Sequence, residues 1–383
     1  MMEAAPDRAE IADFAVAIER VGASDLPLIE KHWRALEQDA DVTFFTSWRW
    51  MGRWLKEIDA APYVARVRRG GRIVGMAFLC RKRITNRRFL PSQVVFLNQT
   101  GDPDQDVITI EYNRLLSARG EAAAAEALVR FLRRTPAAVG GGWDEFQVSG
   151  AVDDTLASFD AGGLPRRSTA IYGSYAVDLA ALRREDRDYL SSLSSNTRRQ
   201  IRRAVSLYEE RGPVRLKRAE TAEEALSFFE DAARMHEAKW SAQGRKGALS
   251  HPFYMAFNRA LIPDNLGDGG VDLLKIAAGD HVIGYLYNLL YKGHVGFYLS
   301  GLAFEKDNRL KPGLVCHAAA ITHYRDAGAD VYDFLAGDAR YKASLGDRGE
   351  TMRTVLYRQP RVKLQVEEAL RTIKHFIAPP DKT

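Results

Sequence analysis

The chain has 383 residues, is 46% hydrophobic and 27% charged, and carries a formal charge of +5. That composition is ordinary for a folded globular chain, and the length suits two cores better than one. Its two cysteines, Cys80 and Cys316, lie far apart in apolar runs, which excludes a short-spaced metal motif and a disulfide framework, so no metal site is expected. No run approaches ~18 apolar residues, so no membrane-spanning helix is expected. The opening MMEAAPDRAE is acidic and lacks an apolar h-region. The expected site of action is the cytoplasm, at most peripherally at the inner face of the inner membrane.

In chain order, Ile11 to Ile18 reads as a short strand-like segment, and a helix follows Asp25. TFFTSWRWMGRWLKEI gathers Phe44, Phe45, Trp48, Trp50 and Trp54, read as core or as an aromatic ligand wall, with Ser47 capping a helix. YVARVRRGGRIVGMAFLCRKR reads as two strands joined at Gly70-Gly71. TGDPDQDVITIEYN brings Asp102, Asp104, Asp106 and Glu111 together. The aspartates read as a solvated loop. Glu111 ends an alternating Ile108, Ile110, Tyr112 segment and is a candidate proton acceptor. EAAAAEALVRFLRRTPAA is a helix with arginines in its last turn, and WDEFQVSG is the strand after it.

The boundary falls near residues 161–167, and the division expected is 1–165, 166–360 and a C-terminal helix and tail at 361–383. NTRRQIRRAVSLYEE reads as a helix with Asn196 at its N-cap. Arg198, Arg199, Arg202 and Arg203 line one of its faces, either as a solvated surface or as a phosphate or acceptor-anion patch. Thr221 and Glu224 form a capping box for the next helix. VDLLKIAAGDHVIGYLYNLLYKGHVGFYLSGL is then a three-strand meander turning at Gly279-Asp280 and Lys292-Gly293. RLKPGLVCHAAAITHYRDAG is a helix opened by Pro312-Gly313 and closed by Gly328. VYDFLAG is a short strand.

Two pairs of segments echo one another: Arg72 to Gly75 with His281 to Gly284, and Trp143 to Gly150 with Asp330 to Gly337. Their order implies two similar α/β units made by duplication. Meander, helix and strand together resemble the GCN5-related N-acetyltransferase (GNAT) fold. The motif Asp333-Phe334-Leu335-Ala336-Gly337-Asp338-Ala339-Arg340-Tyr341-Lys342 is similar to the Asp-Phe-x-x-Gly-x-x-x-Tyr-Lys signature of the CelD/BcsL-like, or FemAB-like, acyltransferases. The Asn-x-Arg-x-x-Ile-Arg-Arg run from Asn196 and the aromatic opening match that branch as well. The resemblance covers nearly the whole chain and implies an α/β fold of tandem acetyltransferase-like units, the first degenerate at its cofactor crevice.

It also implies the chemistry. An acyl group moves from acyl-CoA or acyl-carrier protein to an amine-bearing lipid or sugar, with no tightly bound cofactor. A long-chain amino-alcohol acceptor would make the chain similar to bacterial ceramide synthase. The donor phosphates fall on Arg309, Lys311, Gly313 and Leu314 at a helix N-terminus. Here the family's Arg/Gln-x-x-Gly-x-Gly/Ala spacing is off by one and lacks its second glycine. His317 is read either as a satisfied buried histidine or as a base working with Glu111. Asp333 or Asp338 would orient a group at the strand end, Asp338 also serving as a helix cap or acceptor contact. Tyr341 and Lys342 would lie at the donor edge, to protonate the leaving thiolate, bind phosphate or cover the core. Two alternatives stay open: a tRNA-dependent aminoacyl transferase of the FemAB type, and a non-catalytic nucleic-acid-binding protein, for which no zinc-finger or RNA-binding aromatic motif speaks.

Overall fold

A computed structural model describes residues 13–85, 91–241, 244, 247–337 and 339–366. Asp338 and most of the expected C-terminal helix lie outside them. The architecture is mixed α/β in two compact units that are not consecutive in sequence. One contains residues 1–42, 58–171 and 353–383, and the other Thr43–Glu57 with Tyr172–Met352. The aromatic segment at Phe44 to Trp54 thus belongs to the second unit, although it precedes most of the first. The chain passes between units within the strands Arg166–Asp178 and Asp347–Arg358.

In the first unit, Phe14–Arg20, Tyr63–Arg69, Arg72–Ile84 and Ser92–Leu97 pair antiparallel in that order. Helix Ala123–Arg134 then leads to Glu145–Val152, which pairs parallel to Ser92–Leu97 over Val94↔Glu145, Val95↔Phe146 and Phe96↔Gln147. The expected strand through Glu111 does not form. Asp106–Ile108 is a 3₁₀ turn, and Thr109 and Tyr112 hold positive φ of 40° and 51°, so the backbone is too contorted to join a ladder.

The second unit repeats that plan. Its strands are β1 (Val214–Arg218), β2 (Val271–Ala278), β3 (His281–Tyr291), β4 (His294–Leu302) and β5 (Val331–Asp333). β1 to β4 are antiparallel neighbours, and β5 is parallel to β4. Its helices are α1 (Trp48–Glu57), α2 (Ser195–Glu209), α3 (Ala222–Ser241), α4 (Pro252–Leu266), α5 (Pro312–Asp326) and α6 (Arg340–Leu345). The expected Asn196 cap is displaced by two residues: Ser194 Oγ accepts from Thr197 N at 3.2 Å, because Ser194 has the extended backbone a cap needs. Ser47, just before α1, donates its hydroxyl to Phe44 O at 2.7 Å. Thr221 does cap α3, with Glu224 N donating to its Oγ1 at 3.2 Å. Among the described residues no helix is long and apolar enough to cross a membrane.

Successive residues of β4 point to opposite faces of the sheet. A Cβ built on Gly301 would lie 2.4 Å from the backbone of Ala232 in α3, whereas Leu302 Cδ1 lies 3.3 Å from a Cβ built on Gly313 in α5. Helix α5 therefore covers one face and α3 the other. Buried Tyr208, Leu286, Val295, Ile321 and Tyr332 join α2, α5 and the strands into one core. Gly301→Val should drive a branched side chain into the α3 backbone and cost about 1–3 kcal/mol, read as a lowered urea midpoint at constant m-value.

Candidate active site

β4 and β5 pair only over His294↔Val331, Val295↔Tyr332 and Gly296↔Asp333. Beyond Gly296, β4 runs on to Leu302 while the other strand ends, so the sheet opens there. The register of β4 against β3 also slips: Tyr287 faces Leu299, Asn288 faces Phe297, and Tyr298 is the extra residue. Such a bulge leaves a backbone group outside the ladder and re-aims its side chain.

The signature motif closes the end of β5. Lys342 is 7% exposed, and its Nζ donates to Phe334 O at 2.8 Å, Leu335 O at 3.1 Å and Ala336 O at 2.8 Å. Three carbonyls from successive residues satisfy the three donors of one ammonium. That turn needs left-handed backbone at Leu335 (φ 57°) and a positive φ at Gly337 (124°). Asp333 secures its start, with Oδ1 accepting from Leu335 N at 2.7 Å. Lys342 was expected to meet donor phosphate. A buried ammonium already surrounded by carbonyls has no donor to offer, so its role is to hold the turn.

His317 cannot be the base that sequence reasoning allowed. It is 1% exposed, Phe297 meets its ring edge-on at 4.5 Å, and its Nδ1 lies 3.0 Å from Tyr332 Oη. Burial, aided by the Lys342 charge, lowers its pKa to about 3. Tyr341 stacks on it at 5.5 Å, and burial raises that phenol to about 12, which makes it a poor acid for a leaving thiolate. Both side chains belong to the packing beneath the opened sheet. Glu111 belongs to the first unit, half-buried in the contorted segment described above.

On the α5 face, Val315 N bonds to Lys311 O at 3.0 Å, the first intrahelical bond, so the earlier N–H groups of Gly313 and Leu314 have no intrahelical acceptor. Gly313, Leu314 and Lys311 are half-buried. Arg309 is engaged: its guanidinium pairs Asp307 at 2.6 Å and holds that carboxyl down to about 2. A donor phosphate would have to compete with that pair. On α2, Arg199, Arg202 and Arg203 are exposed and Arg198 half-buried. Arg198 reaches Ser191 O at 3.4 Å and Arg199 reaches Asn196 Oδ1 at 3.2 Å. Arg203 lies close enough to Asp307 to help lower its pKa, so the arginine face and the start of α5 share one electrostatic field.

The opposite face carries a pair that sequence reasoning missed. His294 Nε2 lies 3.3 Å from Asp333 Oδ2. The histidine side chain is 34% exposed and the carboxylate side chain 2%. His294 lines a cleft of about 360 Å³ with Arg49, Asp268 and Lys292. Arg49 comes from α1 and is anchored on Asp268 at 2.7 Å. Beyond it on this face stand Phe45, Trp50, Tyr254, Tyr287 and Tyr298 in mutual ring contact. Burial holds the Tyr287 phenol well above its ordinary range, and its hydroxyl has no hydrogen-bond partner among the described residues. Nothing in the local sequence around His294 marks it; only the parallel register of β4 and β5 brings it to Asp333.

Residues 195–343 match the family model described as an acetyltransferase (GNAT) domain. The fold is shared with FemX, at 12% identity and a TM-score of 0.58, over 91% of this chain and 100% of that one. It is shared too with the C-terminal domain of a putative lysylphosphatidylglycerol synthetase from Agrobacterium fabrum, at 11% identity and a TM-score of 0.51, over 91% and 96%. L-PGS from Bacillus licheniformis gives 10% identity and a TM-score of 0.52 over 93% and 98%. These likenesses concern the fold alone. No curated protein matches the chain.

Lys342→Met should leave three buried carbonyls without a donor and cost about 3 kcal/mol or more; a thermal midpoint within a degree of wild type would show that the turn holds without it. His317 makes stability depend on pH. Its folded pKa lies below the unfolded ~6.5, so its contribution is complete above that value and is lost as pH falls toward about 3. Urea unfolding at a series of pH values should show one extra proton taken up on unfolding across that window, a slope of ~1.4 kcal/mol per pH unit, which disappears in a folded His317→Gln variant.

Proposed function

We propose that this protein is an N-acyltransferase that moves an acyl group from a thioester, acyl-CoA or acyl-carrier protein, to the amine of a lipid or amino-sugar acceptor. The observation that carries the reading is the division of β4: a phosphate-suited helix start lies on one face, and a buried-carboxylate histidine lies on the other. The donor phosphates meet the Gly313 and Leu314 amides and Lys311, where unpaired N–H groups and the helix dipole favour an anion. Arg202 and Arg203 extend that field. The acceptor enters on the α1 face, against the aromatic group.

His294 is the base in this scheme. Asp333 Oδ2 beside Nε2 orients the ring, and the imidazole takes the ammonium proton, a task suited to that side chain. The free amine attacks the thioester carbonyl, and the new C–N bond forms as the carbonyl oxygen becomes an oxyanion. Backbone N–H groups at the open edge of the meander stabilise that charge. The tetrahedral centre then collapses as the C–S bond breaks, and the proton still carried by the cationic nitrogen passes to the departing sulfur, which leaves as the thiol. The proton on His294 returns to solvent. The acceptor class follows from the rings and cleft on this face, which suit an apolar body with an amine at its tip. A long-chain amino-alcohol fits that description, and peripheral contact with an anionic inner membrane surface through the α2 arginines would supply it.

A second reading, aminoacyl transfer from tRNA, is favoured by the same exposed arginines, because their forked donors also suit a nucleic-acid backbone. The test compares acyl-CoA, acyl-carrier protein and aminoacyl-tRNA as donors to the purified full chain with a long-chain amino-alcohol. Product from the thioesters is expected, and product from aminoacyl-tRNA alone would overturn the reading. In single-turnover assays His294→Ala should slow transfer roughly 10²–10⁴-fold, whereas His317→Gln should leave the rate within several-fold. Equal rates for His294→Ala and wild type would remove His294 from the chemistry. Gly313→Val should weaken donor binding in calorimetry with the fold intact; unchanged affinity would place the phosphates elsewhere.

A further inference from the structure

The first unit holds a cavity of about 670 Å³, the size of a small-molecule site, whose chemistry the transfer reaction does not use. Its floor is apolar. Phe96 and Leu356 are buried there at 5% and 4% exposure, and Ile84 packs against them. Its rim is cationic, with Lys82, Arg83 and Arg167. Lys82 is paired with Asp102 at 2.6 Å. Arg83 is exposed and, among the described residues, has no ion-pair partner.

The wall is rigid. Asp106 spends its carboxylate within its own loop, accepting from Thr100 N and Oγ1 at 2.9 Å each and from Gly101 N at 2.8 Å. Gly101, at φ 76°, lies so close to the Phe96 ring that a Cβ would approach to 2.3 Å. The Asn98 amide ties the start of the loop to Phe78 N and Arg114 O, each at 2.9 Å. The lone acidic group on the lining is thus internally bonded, which leaves Arg83 to face a ligand. In the same wall Gln99 Oε1 is buried with no hydrogen-bond partner among the described residues.

We propose that this cavity binds an anionic amphiphile. Its phosphate or carboxylate meets Arg83 and Arg167, and its alkyl segment lies over Ile84, Phe96 and Leu356. Arginine suits such a head group because its planar fork pairs two oxygens at once. The apolar floor distinguishes the site from one for a bare anion, since each buried methylene adds ~0.8 kcal/mol. The proposal does not rest on the transfer reaction, and its test reads binding alone.

The probes are octyl phosphate as a monomer, inorganic phosphate, and vesicles containing phosphatidic acid, each titrated into the full chain by calorimetry or flotation. Octyl phosphate is expected to bind at least roughly tenfold more tightly than inorganic phosphate, as two or more buried methylenes require. Arg83→Ala/Arg167→Ala should weaken it by about tenfold or more, and Ile84→Gln should weaken octyl phosphate while leaving inorganic phosphate unchanged. Circular dichroism confirms the fold, and Arg83→Glu, a change at an exposed position, repeats the charge test if the double variant fails to fold. Absence of octyl phosphate binding, equal affinity for inorganic phosphate, unchanged affinity in the arginine variants, or binding to vesicles but not to the monomer would each overturn the proposal.

Discussion

The second unit depends on one ammonium. Lys342 gathers the carbonyls of Phe334, Leu335 and Ala336 and so stabilises a turn that passes through left-handed backbone at a leucine. Burying a charge is expensive unless its donors are all met, and here they are. Because that turn begins at Asp333, its rigidity fixes where the carboxylate points. Oδ1 is held by Leu335 N, which leaves Oδ2 for His294. A motif that looks like a row of functional groups is in good part a clamp, and its chemistry is delivered one strand away.

β4 carries the consequence to both faces of the sheet. Its pairing with β5 stops at Gly296, its register against β3 slips at Tyr298, and Gly301 lets α3 come close. Each feature weakens the strand as a ladder element and adds access to backbone or space at its surface. The aromatic side chains Phe297, His317, Phe334 and Tyr341 then pack in ring contact on the α5 side. Hydrophobic packing of that kind explains why an imidazole stands there neutral, while His294 sits at the solvent-accessible start of the strand.

The two units share a plan and differ in how they use it. Phe96↔Gln147 in the first and Gly296↔Asp333 in the second are the last parallel pairs of equivalent strands. In the second unit a Cβ at Gly296 would meet Leu335 at 3.3 Å, so that position is filled. In the first, both residues line an open cavity with an arginine rim. Duplicated architecture with divergent filling lets two units differ in their cavities without a change of fold.

Read alone, the amino-acid order determined the meander, the helix from Pro312, the strand after it and the echo of that series in the first unit. These follow from local periodicity, turn glycines and a proline at a helix start, which are short-range properties. It also exposed the signature motif and the arginine face, since residue type and helical spacing suffice for both. Tertiary structure alone decided which of those residues face water. Burial took His317 and Lys342 out of reaction chemistry, and a contorted backbone kept Glu111 out of any strand. The same packing assigned Phe44 to Trp54 to the second unit and set His294 against Asp333, residues 39 positions apart by number. Proton affinity and exposure depend on every neighbour within a few ångströms, and those neighbours come from distant parts of the chain.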